Sequence, residues 1–309
     1  MKILVTGGAG FIGSHVSDAL LIAGHEVHIV DDLSGGNTEN IPAAVIFHQL
    51  DIRSGEMKEL WRKEQFEVLY HFAAQMDVRK SVADPSFDAD VNIRGLINLM
   101  EAGRDNALQK VVFSSTGGAI YGEPDYVPQD EKHVLQPLSP YGITKLSSEK
   151  YLFFYSDTYS IPFVALRYGN VYGPRQNPHG EAGVVAIFSE RLLDGEQTLI
   201  NGDGRQTRDY VFVSDVVDAN VRALSYEGSG IFNIGTGKET DVVELFTILR
   251  DELAPEAPLQ HGPAKPGEQK RSVLSYDLAT SELGWKPMVD VEHGLVRTAR
   301  WFRDRRVSQ

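Results

Sequence analysis

Tyr141 and Lys145 are the residues in this chain best suited to proton chemistry. The pattern around them predicts a helix over 141–158, where a spacing of four puts both side chains on one face, Cβ atoms roughly 5–6 Å apart. A phenol with an ordinary pKa of about 10 is a poor base at neutral pH. A neighbouring ammonium stabilises the phenolate and makes it a usable one. A third polar group is expected where the run Val111-Val112-Phe113-Ser114-Ser115-Thr116 ends. Thr116 is the first choice to hydrogen-bond a reacting hydroxyl, with Ser115 as the alternative.

A second chemical feature opens the chain. Thr6-Gly7-Gly8-Ala9-Gly10-Phe11-Ile12-Gly13 follows a short apolar run and begins a helical pattern. Glycines at 7, 10 and 13 allow a tight turn, close approach of backbone to a pyrophosphate, and close helix–strand packing. The second apolar run ends at Asp31, whose carboxylate can accept from ribose hydroxyls and repels a 2′-phosphate. NAD is therefore expected over NADP. Asp32 is the alternative ribose ligand, and either carboxylate can instead cap the following turn.

These groups need a scaffold, and the hydrophobic pattern supplies one. Segments 3–5, 26–30, 45–50, 68–72, 110–114 and 163–166 read as strands, and 12–23, 55–64, 88–106 and 141–158 as helices, with Gly24 stopping the first helix. Strands separated by helices imply right-handed βαβ units: an α/β fold with a Rossmann-like doubly wound parallel sheet. Beyond about residue 170 the alternation gives way to Gly/Pro-rich stretches such as 173–183 and 254–267. The expected organisation is a dinucleotide-binding domain over 1–168 and a smaller α/β substrate lobe over 169–309, some of whose segments return to the first domain. That lobe would cover the carboxyl ends of the strands, where open α/β sheets bind ligands.

Composition narrows the partners. A length of 309 residues with 42% hydrophobic and 24% charged content specifies a folded chain with a sizeable core. A net charge of −13 disfavours nucleic acid and anionic membranes as main partners. The chain has no cysteine, which rules out thiol nucleophiles and disulfides, and its nine histidines show no H-E-x-x-H spacing, so no metal site is expected. No apolar run approaches the ~20 residues of a membrane span, and the cytoplasm is the expected compartment.

Taken together, Thr6–Gly13, Asp51-Ile52, His71-Phe72-Ala73-Ala74-Gln75, Ser114-Ser115-Thr116, Tyr121-Gly122-Glu123-Pro124, Tyr141 to Lys145, Leu166 to Arg175, Arg208-Asp209-Tyr210 and Pro266-Gly267-Glu268 resemble the extended short-chain dehydrogenases acting on nucleotide sugars, most closely the UDP-galactose 4-epimerases. The matches run through nearly the whole chain in the family's order. The resemblance implies that Asp51 and Ile52 contact the adenine of NAD, that Phe72, Ala73 and Ala74 pass under its phosphates, and that Tyr168 lies on the nicotinamide side. Asn92 and Ser114, with Gly7, Gly10, Phe11, Ile12, Gly13, Tyr141 and Lys145, complete the implied cofactor set. Asn170 and Arg208 would hold the nucleotide diphosphate, with Glu268 near the nucleotide ribose and Gln75, Thr116, Arg271 and Ser272 also on the substrate.

Three departures stand out. Lys265 precedes Pro266 where the family often has Arg, and Arg271 is expected to share its duty. The stretch Ser115-Thr116-Gly117-Gly118-Ala119-Ile120-Tyr121 is one residue longer than in many epimerases. The Thr-Asp-Glu triplet typical of sugar 4,6-dehydratases is absent, which argues against dehydration.

The implied reaction is transient oxidation at the sugar C4, with Tyr141 as base, NAD retained, and the hydride returned on the other face. Rival readings are a UDP-glucuronate 4-epimerase with Arg79 facing the sugar carboxylate, a net oxidoreductase or decarboxylase, and a non-catalytic NAD-sensing protein. The small Ser272 implies a pocket that also admits an N-acetyl group at C2. Tyr151-Leu152-Phe153-Phe154-Tyr155 is apolar around the whole helix, which predicts a homodimer through a four-helix interface with the segment carrying Val91, Leu96 and Leu99. The rival is coverage of that face by the C-terminal lobe.

Overall fold

Short continuous apolar runs, whose successive side chains point to opposite faces, build a sheet buried on both sides. The computed structural model describes residues 1–178, 183–264 and 269–307. Its centre is a seven-stranded parallel sheet of β1 (Lys2–Thr6), β2 (Glu26–Asp31), β3 (Ile46–Gln49), β4 (Val68–His71), β5 (Lys110–Thr116), β6 (Phe163–Tyr168) and β7 (Gly230–Ile234), in spatial order β7-β6-β5-β4-β1-β2-β3. Ile3 and Val5 of β1 face one hydrophobic layer while Leu4 between them faces the other. β5 divides likewise, with Val112 on the first side and Val111 and Phe113 on the second.

The first layer is closed by α1 (Phe11–Ile22), α9 (Val213–Ser225) and α11 (Asp277–Leu283), through Val16, Leu20, Val216, Ala219 and Leu283. The second is closed by α2 (Glu56–Glu64), α5 (Gly95–Arg104) and α7 (Pro140–Tyr159), through Trp61, Leu96, Leu99, Leu152 and Tyr155. Two short helices, α3 (Val78–Ala83) and α4 (Pro85–Ala89), follow β4, and a π-helical turn, Asp90–Arg94, joins α4 to α5. A single-turn helix, α6 (Gly117–Ile120), caps β5. The expected helix over 88–106 is thus broken into three pieces.

A third core lies beyond the sheet. There α8 (Val184–Asp194), α10 (Val242–Leu253) and α12 (Val291–Val307) enclose Phe188, Leu245, Phe246, Leu249 and Leu295. The chain does not stay in this lobe once it enters it. α9 returns to pack on α1, and β7 adds the seventh strand beside β6, Gly230 opposite Val164 through Ile234 opposite Tyr168. The sequence pattern implies that some segments beyond 169 return to the first domain, but it does not mark this strand.

The strand order reverses between β1 and β4, leaving a crevice at their carboxyl ends where a ligand can enter. Among the described residues no helix is long and apolar enough to cross a membrane.

Candidate active site

The crevice is lined first by the glycine turn. Gly7 adopts φ +71°, a conformation L side chains rarely take, and a Cβ there would lie 2.5 Å from the Ala73 backbone nitrogen across the crevice. A Cβ on Gly13 would overlap the Gly7 carbonyl. Gly10, at the N-cap of α1, has no side chain to cap the first turn, so the N–H groups of Phe11 and Ile12 and the positive end of the helix face the crevice. This is a cradle that fits a dinucleotide pyrophosphate. Opposite, Phe72 and Ala73 are fixed by their N–H groups donating to the Thr6 carbonyl at 2.9 and 3.0 Å.

Asp31 ends β2 with its carboxylate nearly buried. Its oxygens accept from the Ala9 N–H at 3.0 Å and the Leu33 N–H at 2.9 Å, and burial raises its pKa against those hydrogen bonds. Each oxygen keeps a further lone pair for a ribose hydroxyl. Asp32, the alternative, is exposed and caps the turn through Ser34 N–H and Oγ. Asp51 is gripped by Arg53, which also reaches Asp90 at 2.7 Å, while Ile52 is buried against Gly95.

The chemical pair sits across the crevice at the start of α7. Ser139 caps this helix by accepting from Gly142 N–H at 3.2 Å, and Pro140 fills its first turn, so Tyr141 and Lys145 are presented on one face. Lys145 is buried, donates to the Ser114 carbonyl at 2.7 Å, and lies 4.8 Å from the Phe113 ring centroid and 5.9 Å from that of Tyr141. Burial pushes the Lys145 ammonium down to about 8, opposed by Asp88 and Glu149. Tyr141 is raised above the ordinary phenol value by burial and by the charge of Asp88. The expected lowering of the phenol by Lys145 is therefore not what the protein groups alone produce: the phenol is desolvated, and Asp88 adds to the rise.

The pleat of β5 separates its three hydroxyls. Ser115 is buried on the α7 side, where its Oγ donates to Glu149 Oε1 at 2.6 Å. Glu149 is in turn forked by Arg167, Nε at 2.9 Å and NH2 at 2.7 Å. Ser114 and Thr116 point to the other side. Ser114 bonds Tyr168, whose hydroxyl also exchanges hydrogen bonds with Asn220. Thr116 is half-buried and open toward Gly118, where an added Cβ would lie 4.0 Å from Thr116 Oγ1 and 3.7 Å from Asn170 Oδ1. Thr116, Gly118 and Asn170 thus border one space. Asn170 is placed there by its N–H donating to the Asp209 carbonyl at 2.7 Å.

On the far wall, Arg208 donates to the Thr207 carbonyl at 2.8 Å and has no carboxylate partner among the described residues. Its neighbour Asp209 is not that partner. Asp209 is fully buried and accepts from the Thr236, Gly237 and Leu274 N–H groups. Ser272 is buried, in a stretch tied to neighbouring loops by Lys270 N–H to Glu123 at 3.0 Å and by Gln129 N–H to the Val273 carbonyl at 2.8 Å. Lys265 and Glu268 lie outside the described residues.

Several expected contacts are used otherwise. Gln75 was expected on the substrate, but its amide donates to the Asp77 carbonyl and Asp88, both at 2.9 Å, and accepts from Asp77 N–H at 2.8 Å. Asn92, expected on the cofactor, exchanges bonds with the Gln75 backbone and reaches Asp88 at 3.1 Å. Arg271, half exposed, forks onto Glu239 at 2.6 and 2.8 Å. Tyr168 is buried in the sheet's first layer. Sequence reasoning passed over Asp88, Thr144, Glu149 and Arg167. Glu149 was findable, since 141, 145 and 149 share one helical face.

Away from the crevice, ligand atoms of Glu26, His28 and Glu64 lie within 4.8 Å of one another. The Lys2 ammonium already bridges the two carboxylates there at 3.1 Å each.

The sequence profile of the NAD dependent epimerase/dehydratase family matches residues 3–235. The UDP-glucose 4-epimerase of Mycolicibacterium smegmatis is 46% identical over 312 aligned residues covering 99% of both chains. A crystal structure of UDP-glucose 4-epimerase from Thermotoga maritima with UDP-glucose aligns with a TM-score of 0.96 at 46% identity, covering 99% of both chains. That of the Thermus thermophilus UDP-glucose 4-epimerase in complex with NAD gives a TM-score of 0.93 at 43% identity, covering 98% of this chain and 99% of the other.

Proposed function

The chain belongs to the NAD-dependent epimerase/dehydratase family, and on that footing we propose that it is a UDP-sugar 4-epimerase interconverting UDP-glucose and UDP-galactose. The observation that carries the reading is the Tyr141–Lys145 pair on one face of α7, with Lys145 held by the Ser114 carbonyl near the end of β5, in a fold whose glycine turn fits NAD. Bound NAD supplies the hydride acceptor at C4 and the donor for its return. The Gly7–Gly13 turn, Asp31, Phe72 and Ala73 hold it.

The protein's own part is proton transfer and grip. Tyr141 takes the 4-hydroxyl proton as the C4–H bond breaks, and gives it back when the 4-keto sugar is reduced on its other face. Lys145, held by the Ser114 carbonyl, stabilises the phenolate, and Thr116 hydrogen-bonds the reacting oxygen. Arg208 and Asn170 retain the diphosphate while the keto sugar turns over between its two faces, Arg208 through the forked geometry phosphate favours.

The proposal extends to a homodimer, and to action in the cytoplasm, in keeping with a cysteine-free chain. On α7, Leu152 and Tyr155 are buried, but Phe153 is 64% and Phe154 46% exposed, so the described residues of the C-terminal lobe leave that face open. Leu96 and Leu99 are core residues rather than interface ones, because α5 turns them toward the sheet. The dimer contact is therefore assigned to Tyr151, Phe153, Phe154 and Tyr159. A monomeric mass by light scattering at micromolar protein would reject it.

The deciding experiment incubates the purified holoenzyme with UDP-glucose and reads product stereochemistry by NMR. UDP-galactose without net NADH is expected. Steady NADH release, or carbon dioxide from UDP-glucuronate, would replace the reading with an oxidoreductase or a decarboxylase.

A further inference from the structure

Beneath the Tyr141–Lys145 pair lies a carboxylate that the reaction as described does not use. Asp88, on α4, is fully buried. Its Oδ1 accepts from Gln75 Nε2 at 2.9 Å and Asn92 Nδ2 at 3.1 Å, and its Oδ2 accepts from Thr144 Oγ1 at 2.8 Å. Two amide N–H groups and one hydroxyl satisfy an ionised carboxylate without a proton of its own. None of the three donors is a cation. A buried charge without a charged partner in hydrogen-bond contact is costly unless an opposite charge stands close by.

The opposite charge is on the next residue of α7. Thr144 links Asp88 to the helical turn that bears Tyr141 and Lys145, and the buried Lys145 ammonium has the Ser114 carbonyl as its hydrogen-bond partner. The remaining charged groups around the pair leave that role to Asp88. On β4, His71 is buried and held neutral, its pKa pushed down to about 3 by burial. On α7, Glu149 is forked by Arg167 of β6. On α3, Arg79 and Lys80 are exposed.

We propose that Asp88 is a positioning residue, the buried counter-charge of Lys145, which acts through Thr144, Asn92 and Gln75 to fix the catalytic turn of α7 and keep the lysine an ammonium during turnover. This rests on the reading of Tyr141 and Lys145 as the proton-transfer pair. Burial alone drives Lys145 toward its neutral form, and Asp88 opposes that drift. The same charge raises the Tyr141 phenol, so Asp88 sets both proton affinities in one direction. The loss of Asp88 therefore lowers both.

The test is Asp88→Asn in the holoenzyme. An asparagine keeps one oxygen to accept from Gln75 and Asn92, and its NH2 can donate to Thr144, whose hydroxyl then turns to the Tyr141 carbonyl 3.0 Å away. Shape and bonds survive while the charge goes. Both limbs of kcat against pH should move toward acid by roughly one unit. The phenolate absorbance of Tyr141, isolated by subtracting Tyr141→Phe in each background, should titrate correspondingly lower. A fall in kcat with unmoved limbs and an unmoved phenol titration would mark a merely structural contact and overturn the proposal. Should the variant fail to fold, the Asp88 carboxyl resonance of the wild-type protein decides: an ionised group through the working pH range supports the counter-charge, and a protonated one overturns it. The phenol titration needs no substrate. A wild type inert toward UDP-glucose would therefore refute the epimerase reading and still leave Asp88 testable.

Discussion

Thr116→Val tests the site at its least obvious point. The substitution deletes one hydroxyl and keeps the shape of a residue at the end of a strand. In the proposed reaction that hydroxyl bonds the sugar oxygen as charge develops on it. A hydrogen bond to a charged group contributes about 1.5–3 kcal/mol. At roughly 1.36 kcal/mol per tenfold in rate, kcat should fall about 10- to 100-fold. Ser115→Ala is the control that makes the number meaningful. It removes one of three bonds onto Glu149, whose Arg167 fork remains. The cost should be about 1 kcal/mol of stability, a few degrees in Tm at most, with kcat within about twofold of wild type. Steady-state kinetics on UDP-glucose, beside thermal melts followed by circular dichroism, reads both. If Ser115→Ala loses more than tenfold in kcat at unchanged Tm while Thr116→Val does not, the catalytic hydroxyl has been assigned to the wrong side of the strand.

Four further outcomes are expected. Tyr141→Phe should lower kcat by ~10²–10⁴-fold while the protein keeps its NAD after gel filtration, because only the phenolic oxygen is lost. Lys145 is a cation below its pKa of about 8 and neutral above it, so wild-type kcat should decline as pH rises through that region, while the residual rate of Lys145→Ala should climb as Tyr141 ionises unaided. Denaturing extraction should yield NAD(H) rather than NADP(H), since a 2′-phosphate would meet the nearly buried Asp31 carboxylate; a predominance of NADP(H) would show that Asp31 serves only the Ala9 and Leu33 N–H groups. Ser272→Tyr should depress kcat/KM for the UDP-GlcNAc and UDP-GalNAc pair selectively, and equal losses on both sugar pairs would remove this buried serine from the pocket wall.

The fold was legible wherever a residue's duty was local. β1 to β6 announced themselves because each is a short apolar run bounded by polar or glycine residues, and the period-two division of Ile3, Leu4 and Val5 between two cores is the same fact seen from inside. β7 was not legible. Gly230–Ile234 is no less apolar, but its place is decided by a partner far earlier in the chain, and its preceding helix reads as lobe rather than sheet. The break in the helix over 88–106 was hidden for a related reason. Asp88 and Asn92, four apart, look like one polar stripe of an exposed helix, whereas Asp88 on α4 and Asn92 in the π-turn are both buried against Gln75 and Thr144.

The site divides the same way. Gly7 and Gly13 could be read directly, because their constraint is backbone geometry that only glycine meets. Gln75, Asn92 and Arg271 could not, because an amide or guanidinium in a motif says nothing of whether the protein or a ligand takes its hydrogen bonds. The hydroxyl triplet shows what was missing. Ser114, Ser115 and Thr116 are chemically interchangeable on paper, and only the pleat distinguishes them. It turns Ser115 toward α7, where Glu149 stands four residues beyond Lys145 and eight beyond Tyr141. The helical register that places the base beside its ammonium thus also brings up the carboxylate that occupies Ser115, and leaves Thr116 as the hydroxyl open toward Gly118 and Asn170.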